Sequence, residues 1–501
     1  MPGNDTAGGE HTPANQWLFW TCFIALVATA FGFIVRTQVI DDWGIEFNLT
    51  ETQKGELFGV GLWPFAISII LFSLVIDRIG NGHALRFALV CHILSVIITI
   101  FANNYWGLYI GTFVMAIGNG TVEAVINPVV ATIFSREKTK WLNILHAGWP
   151  GGLVLGGILA ISMGDFDWRY RVALILLPAV VYGTMMLRAR FPVSERVAAG
   201  VSYREMLAEF GYVGALIVSA LIVYELGRVF DWSTTLKIAM IIVATGAFAF
   251  YARSPGRPLF IVLVLIMFPL ATTELGTDSW ITSLMAPAMG QLGIAAGWVL
   301  VYTSAIMMVL RLYAGPFVER LSPLGLLAAS SALAAAGLML LSSVEAAVMI
   351  LVAATVYGVG KTFFWPTMLG VVAEQSPKGG ALTLNSVGGA GMIGVGIVGA
   401  VFLGFIQDTS VERQLIETAP AIHEQVVDSK RWLFGSYDAV IPDRVTEDVA
   451  EVVENATSVA RKQALSTVAI FPMIMLASYL LLIFYFRSRG GYRAIRLPAA
   501  E

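Results

Sequence analysis

Fourteen long apolar segments restrict the fold of this chain more than any other feature. Most are near 20 residues long, the length an α-helix needs to cross the hydrocarbon core of a bilayer. The sequence therefore predicts an all-α membrane protein with fourteen transmembrane helices in the order six, two, six. The predicted spans are 17–40, 54–76, 85–102, 105–133, 141–163, 171–189, 211–229, 237–253, 258–285, 293–313, 323–343, 346–373, 381–406 and 463–487.

Composition excludes a soluble multidomain protein. Of the 501 residues, 57% are hydrophobic and 13% are charged, whereas soluble proteins carry roughly 25% charged residues. The net charge of −3 gives no basic footprint, so nucleic acid is not expected as a partner. Cys22 and Cys91 both lie in apolar runs, which predicts neither a disulfide framework nor a metal centre.

Lysine and arginine are concentrated in alternate short loops. Arg78, Arg86 and residues 136–140 flank loops on one side, whereas the opposite links 103–106 and 286–292 carry no charge. Because basic loops remain in the cytoplasm, both termini are predicted to be cytoplasmic, in a bacterial inner membrane. The exceptions to this bias are Arg169, Arg171, Arg228 and Lys237.

The order of the segments predicts three parts. Residues 1–190 form an N-terminal six-helix bundle, 191–257 a linker with two extra transmembrane helices, and 258–501 a C-terminal six-helix bundle. Within the last part, residues 408–462 are polar and acidic, which predicts an extramembrane insertion before the last helix. Helical apolar spacing predicts short amphipathic helices there, with a mobile loop as the alternative, at 411–416, 422–427 and 445–456.

At least seven ionisable side chains lie inside the apolar segments, and seven of them are candidate functional groups. A charged group at membrane depth is costly, so it normally faces a water-filled cavity, has a partner and serves function. The seven come from both bundles, which predicts a central cavity between them. They are Arg36, Glu123, His146, Glu274, Asp278, Arg311 and Lys361.

A short motif recurs after the second helix of each set of six. Residues 73–78 read Ser-Leu-Val-Ile-Asp-Arg, and residues 315–320 read Gly-Pro-Phe-Val-Glu-Arg. The small residue allows close helix approach, and the acid and arginine can bridge helix ends as a gate. Two copies in register resemble the loop signature of the major facilitator superfamily, although Ser73 replaces the usual glycine. The predicted gating residues are Asp77, Arg78, Arg311, Glu319 and Arg320.

The fourth and fifth helices resemble a particular branch of that superfamily. Glu123 lies four residues before Asn127-Pro128, and a Leu-Asn pair ending in Asn143 opens the next helix. This pattern is similar to the fucose permeases, which are fucose–galactose–proton symporters. The segments Glu274 to Trp280 and Lys361 to Trp365 also resemble that branch. The resemblance implies a sugar cavity and proton coupling.

Three features depart from the fucose permease pattern. That branch carries an aspartate in the first helix, where this chain has Arg36-Thr37, and Lys361 adds a second buried cation. The two extra helices resemble the inserted pair of proton-coupled peptide transporters. If Arg36 and Lys361 face the cavity unpaired, they attract an anion. If they pair with the buried acids, the cavity suits neutral polyols.

Glu123 is the predicted proton carrier. It shares a helix face with Asn127, and a carboxyl group shielded from water holds a proton more readily. His146 can bind a hydroxyl or shuttle a proton, and a purely structural histidine is the alternative. The predicted substrate- and proton-binding residues are Arg36, Glu123, Asn127, Asn143, His146, Trp149, Glu274, Asp278, Trp280, Lys361 and Trp365.

The sequence thus predicts a monomeric, proton-coupled symporter of a sugar or sugar-derived solute, working by alternating access. One alternative keeps transport but changes the solute to a small organic anion, such as an acid sugar. Another, from a different class, is a membrane sensor or scaffold that retains the transporter fold. The chain shows no nucleotide loop and no nucleophile–base arrangement, so neither an enzyme nor a cofactor is expected.

Overall fold

A helical membrane protein is observed. The computed structural model describes residues 11–277, 297–344, 346–432, 435–441 and 444–498. Within these residues, thirteen helical segments are long and apolar enough to cross a membrane, and a shorter apolar helix covers Leu300–Leu312. Together they follow the order of the fourteen predicted spans, which confirms the fold class.

The first part of the chain forms helices that cover the first six spans and the two extra ones. Their bounds are α1 Pro13–Glu46, α2 Glu51–Gly59, α3 Trp63–Ile79, α4 Asn81–Ile100, α5 Tyr105–Ile133, α6 Lys138–His146, α7 Gly148–Ser162, α8 Trp168–Ala173, α9 Leu176–Met186, α10 Glu195–Ala198, α11 Tyr203–Val229 and α12 Thr234–Ala252. Below, α1–α9 are called the N-terminal set.

The remaining helices are called the C-terminal set. Their bounds are α13 Pro258–Ala271, α14 Gly297–Leu312, α15 Ala314–Ser343, α16 Ala347–Lys361, α17 Phe364–Gln375, α18 Gly380–Gly394, α19 Ala400–Thr418, α20 Pro420–Val426, α21 Glu447–Val468 and α22 Ile470–Arg487, with single π-helical turns at Thr272–Gly276 and Val395–Gly399 and a 3₁₀ turn at Pro377–Gly379. Two strands, β1 Val427–Trp432 and β2 Gly435–Val440, pair antiparallel.

Two helices begin earlier in the chain than predicted, and each contains one residue with non-helical backbone angles. Gly211 has φ +72° inside α11, and Ser322 has φ +60° inside α15. A side chain at Gly211 would lie about 2 Å from the backbone of Gly256, so the close approach of these two segments requires glycine. The predicted starts at 211 and 323 mark these breaks, and helical turns precede them.

The acidic segment 408–462 contains more structure than predicted. Helices occupy most of the predicted amphipathic stretches, but α19 and α21 run continuously into the apolar spans rather than standing apart. The hairpin from Val427 to Val440 was not predicted. Its first strand reads Val-Asp-Ser-Lys-Arg-Trp, which lacks the alternation of apolar and polar residues that identifies a half-buried strand.

Four basic residues do not follow the concentration of Lys and Arg in alternate loops, and each has a contact nearby. Arg169 pairs with Glu46 at 2.6 Å and Arg171 with Asp42 at 2.7 Å. Arg228 pairs with Glu225 at 2.6 Å. The ammonium group of Lys237 lies 5.6 Å from the ring centroid of Tyr224. The three arginines are therefore each paired with a carboxylate, whereas Lys237 lies near an aromatic ring.

Candidate functional site

Glu123 begins a chain of buried polar contacts inside the N-terminal set. Asn127 lies one turn later on α5 and donates its side-chain N–H to Glu123 Oε2 at 2.7 Å. His146, at the end of α6, lies 2.9 Å from Asn127 Oδ1 through its Nε2. Since the amide oxygen can only accept, His146 Nε2 carries the proton in this contact. All three side chains are at most 7% exposed.

The C-terminal set contributes a buried ion pair. Arg311 Nη2, on α14, lies 2.7 Å from Glu274 Oε1, and both residues are at most 4% exposed. Glu274 lies in the π-helical turn Thr272–Gly276, an irregularity that is frequent at functional sites. Its second oxygen accepts the main-chain N–H of Trp365 at 3.0 Å. Arg311 Nε donates to the carbonyl of Thr362 at 2.6 Å.

A hydrogen bond from Arg311 joins these two groups of contacts. Arg311 Nη1 donates to the main-chain carbonyl of His146 at 3.1 Å. A continuous polar path therefore leads from Glu123 in the N-terminal set to Glu274 in the C-terminal set. It brings together Glu123, Asn127, His146, Glu274 and, through its main chain, Trp365, all of which were predicted to line one cavity.

Other predicted cavity residues occupy different positions. Lys361 is 1% exposed, with Nζ 5.6 Å from the ring centroid of Tyr357. Trp149 is half-buried, and its ring contacts Phe33 with centroids 5.7 Å apart. Asp278 and Trp280 lie outside the described residues.

Asn143 belongs to a closed interface between the two sets rather than to the polar path. Its side chain donates to Thr367 Oγ1 on α17 at 3.0 Å. One turn earlier, Thr139 donates its hydroxyl and its main-chain N–H to Glu374 Oε1 at 2.5 and 3.2 Å. We call this region, where residues 138–143 meet residues 367–376, the closed end. Here Glu374 bridges the two helix sets.

The C-terminal tail is also bound at the closed end. Tyr492 donates its hydroxyl to Glu374 Oε2 at 2.8 Å, and the main-chain N–H of Ile495 donates to the Glu374 carbonyl at 2.9 Å. Gln375 Nε2 donates to the carbonyl of Arg493 at 2.8 Å. Both carboxylate oxygens of Glu374 are thus occupied, one by the N-terminal set and one by the tail.

The first copy of the repeated motif forms an ion pair with an unexpected partner. Asp77 Oδ2 lies 2.5 Å from Arg196 Nη2, and Asp77 Oδ1 accepts from the Ser194 hydroxyl at 2.8 Å. The neighbouring Arg78 instead packs over the ring of Tyr203 at 4.9 Å. Ser73 accepts a bond from Asn385 of the C-terminal set at 2.9 Å. The small residue and the acid of the motif therefore both lie at contacts with other segments.

The second copy makes weaker contacts. Glu319 is exposed and lies 3.8 Å from Lys140 of the N-terminal set, so this pair contributes little to stability. Arg320 is exposed and has no hydrogen bond or ion pair within the part of the chain that the structure describes. Arg311, which was predicted as a gating residue, turns its side chain toward Glu274 and His146 instead of Glu319.

Three charged residues at the closed end were missed by sequence reasoning. Arg196 and Lys138 were counted only as loop charges, but they pair with Asp77 and Glu195 at 2.5 Å each. Glu374 ends an apolar run and could have been selected by the same argument as the other buried acids. The partners could not, because they come from segments far apart in sequence.

Arg36 lies apart from both the polar path and the closed end. Its guanidinium carbon is 5.7 Å from the ring centroids of Phe33 and Phe58. A side chain on Gly61, in the break between α2 and α3, would lie 1.9 Å from Arg36 Nη1. The guanidinium therefore occupies space that the glycine leaves beside the broken second span.

Comparison with known proteins identifies the family. Residues 17–396 match the profile of the Major Facilitator Superfamily, which is about three quarters of the chain. The chain belongs to this superfamily. Its members are membrane transporters rather than enzymes, and the chain is an integral membrane protein. Among the described residues, no group of three His, Cys, Asp or Glu side chains could hold a metal ion.

Curated relatives of this superfamily chain are distant. It is 24% identical over 213 residues to MFS transporter L2 of Phoma sp., covering 40% of this chain and 34% of that protein. It is 23% identical over 176 residues to the probable 4-methylmuconolactone transporter of Cupriavidus pinatubonensis, covering 34% and 41%. The matches thus span about a third to two fifths of the relatives' length.

Solved structures share the fold over nearly the whole chain. The proton:xylose symporter XylE aligns with a TM-score of 0.60 at 13% identity, covering 91% of this chain and 94% of that one. The fucose:proton symporter FucP of E. coli aligns with a TM-score of 0.53 at 15% identity, covering 91% and 99%. The similarity between this chain and the fucose permeases, first seen in the sequence motifs, therefore extends to the fold.

Proposed function

We propose that this superfamily member is a secondary active transporter that carries a sugar or sugar-derived solute together with protons. The observation that supports this most is the polar path from Glu123 through Asn127 and His146 to Arg311 and Glu274. It joins the two helix sets within the membrane-spanning segments. Alternating access moves one set against the other around a site at their interface, so this path is where solute and proton would be held.

Glu123 is the proposed proton carrier because it can change charge without breaking an ion pair. Its only hydrogen bond within the described residues comes from the neutral amide of Asn127. Glu274, in contrast, holds Arg311 at 2.7 Å, and protonating it would neutralise the carboxylate of this buried ion pair. Glu123, whose partner is neutral, is therefore assigned to carrying the proton. Glu274, whose partner is a cation, is assigned to the ion pair.

A neutral solute suits the charge balance of the path. Glu274 neutralises Arg311, so no net positive charge remains on that pair to select an anion. Asn127 and His146 offer hydrogen-bonding groups that match sugar hydroxyls, and Trp149 and Trp365 supply aromatic rings nearby in the chain. The structural neighbours XylE and FucP are named as proton symporters of xylose and fucose.

A small organic anion is the second candidate, and Arg36 favours it. Unlike Arg311, Arg36 forms no ion pair with any described residue. Two relatives are named for compounds of this class, 4-methylmuconolactone and cis,cis-muconate. Under this alternative the cation selects the solute's carboxylate.

Proteoliposomes containing the purified protein test the proposal. The outside solution is made more acidic than the inside, and neutral sugars and acid sugars are added outside one at a time. A pH-sensitive dye inside the proteoliposomes reports proton entry. Uptake of a neutral sugar with simultaneous acidification supports the leading proposal, and the same result with acid sugars alone supports the second. Uptake of either class without acidification would contradict proton coupling.

The remaining sequence predictions become part of the proposal. The chain would divide at residues 190 and 257 into two bundles that move against each other, with an inserted pair of helices between them in sequence. The closed end carries the basic loops, so it would face the cytoplasm, together with both termini, in a bacterial inner membrane. The protein would act as a monomer.

Asp77 is proposed as a gate element at the closed end. Asp77→Asn should slow transport by about tenfold and leave solute affinity within about twofold, because Arg196 loses its partner and the closed state loses stability. Glu319→Gln is the matched comparison and should have a smaller effect, since Glu319 is exposed and lies 3.8 Å from Lys140. Initial uptake rates and equilibrium binding measure this. Normal transport in both variants would remove the gate role.

A further inference from the structure

Arg36 differs from every other buried arginine in the described part of the chain. Four arginines there are less than 9% exposed: Arg36, Arg171, Arg196 and Arg311. The last three each lie within 2.7 Å of a carboxylate oxygen. Arg36 has no ion pair and no hydrogen bond with the described residues, and its Nε is fully buried without a partner. The chain pairs its other buried guanidinium groups internally, so the counter-charge of Arg36 must come from elsewhere.

Aromatic rings compensate this charge only in part. Phe33 and Phe58 each place a ring centroid 5.7 Å from the guanidinium carbon. Such a contact is worth about 0.5–2 kcal/mol, whereas withdrawing an unpaired ion from water costs several kcal/mol. Among the described residues, the positive charge of Arg36 therefore remains uncompensated.

A small cavity beside Arg36 offers donors but no acid. It measures about 20 Å³ and is lined by residues that include Arg36, Trp43, Thr99 and Thr112, and no acidic side chain is among its described lining residues. The indole Nε1 of Trp43 is also fully buried without a hydrogen-bond partner among the residues described. A space of this size accommodates one species about as large as a water molecule. Donors without an acid predict an anion as that species.

We propose that this cavity binds a small monovalent anion, such as chloride, as the counter-charge of Arg36. The guanidinium supplies the charge, and the hydroxyls of Thr99 and Thr112, which also line the cavity, supply further donors. A monatomic ion fits the volume, whereas a carboxylate would require the cavity to widen. The cavity is lined by residues of α1, α4 and α5 and of the 172–175 segment, and Gly61 in the break between α2 and α3 makes room for the guanidinium. Glu123, the proposed proton site, is not among the lining residues.

Thermal unfolding of the full-length protein in detergent tests this site without requiring transport. Chloride replaces gluconate at constant ionic strength, and tryptophan fluorescence reports the Tm. Wild-type protein should gain about 3 °C or more at saturating chloride, because a ligand that binds only the native state stabilises it. Arg36→Gln should lose this gain. Arg86→Gln removes an exposed arginine of the same helix set and should retain it.

Further experiments identify the bound anion and test the site even if Arg36→Gln fails to fold. Thr99→Val and Thr112→Val should each raise the chloride concentration at half-effect by about fivefold, since each removes one donor. Bromide soaked into crystals should give an anomalous peak within hydrogen-bond distance of the guanidinium. Stabilisation by acetate through Arg36 without a chloride effect would identify the anion as a solute carboxylate. Equal Tm values in gluconate, chloride and acetate, or a chloride gain that persists in Arg36→Gln, would overturn the proposal.

Discussion

Glu123→Gln should abolish proton-driven accumulation and leave exchange of solute across the membrane. A gradient of one pH unit is worth about 1.4 kcal/mol per proton, which supports roughly tenfold accumulation for a one-to-one symporter. Glutamine keeps the size of the side chain and can still accept the bond from Asn127, but it cannot take up a proton. Accumulation should therefore fall from about tenfold to about onefold, while counterflow between equal pH values continues.

The measurement compares uptake at a fixed pH gradient with exchange at symmetrical pH in the same proteoliposomes. Glu225→Gln is the matched control, because Glu225 is also a buried acid but pairs with Arg228 at 2.6 Å on the inserted helix α11. That variant should accumulate solute as the wild type does. Tenfold accumulation by Glu123→Gln would place the proton on another group, and loss of exchange as well would mean that Glu123 binds the solute.

Apolar segment length was sufficient to predict the fold. A span is specified by about 20 consecutive apolar residues because the bilayer leaves no water for unpaired backbone groups. Its breaks have different origins: the one at Gly211 accompanies the close approach of Gly256, whereas the one at Ser322 lies directly before Pro323, which disfavours helical backbone in the preceding residue. The hairpin from Val427 to Val440 was missed because its polar strands carry no apolar alternation.

Positions of buried charges could be predicted, but their partners could not. Glu123 and Asn127 were selected by their spacing along one helix and by motif resemblance, and His146 by motif resemblance and as an ionisable group inside an apolar segment. The rotation of one helix against another decides whether Arg311 meets Glu274 or Glu319, and sequence spacing carries no information about that rotation. The same limit applies to Asp77, whose partner Arg196 comes from the linker.

Removing one partner of the Glu274–Arg311 pair should destabilise the protein more than removing both. The pair is buried at 2.7 Å, and neutralising one member removes the opposite charge from beside the other in a medium of low dielectric constant, at a cost of about 3–5 kcal/mol. Glu274→Gln leaves the guanidinium of Arg311 without its carboxylate. Arg311→Gln leaves the carboxylate and also removes the bonds to the carbonyls of Thr362 and His146, so it should cost more.

A double-mutant cycle separates the two contributions. Glu274→Gln with Arg311→Gln removes both charges, so its loss of unfolding free energy should be smaller than the sum of the single losses by about 2 kcal/mol or more. The control cycle uses Glu225→Gln with Arg228→Gln, whose arginine is 60% exposed; water stabilises the remaining charge there, and the coupling should stay below about 1 kcal/mol. Since Arg311 connects the C-terminal set to the His146 carbonyl, the double variant should regain stability but not transport. Strictly additive losses at Glu274 and Arg311 would show that the two charges do not depend on each other, and recovery of transport in the double variant would remove Arg311 from the proposed coupling path.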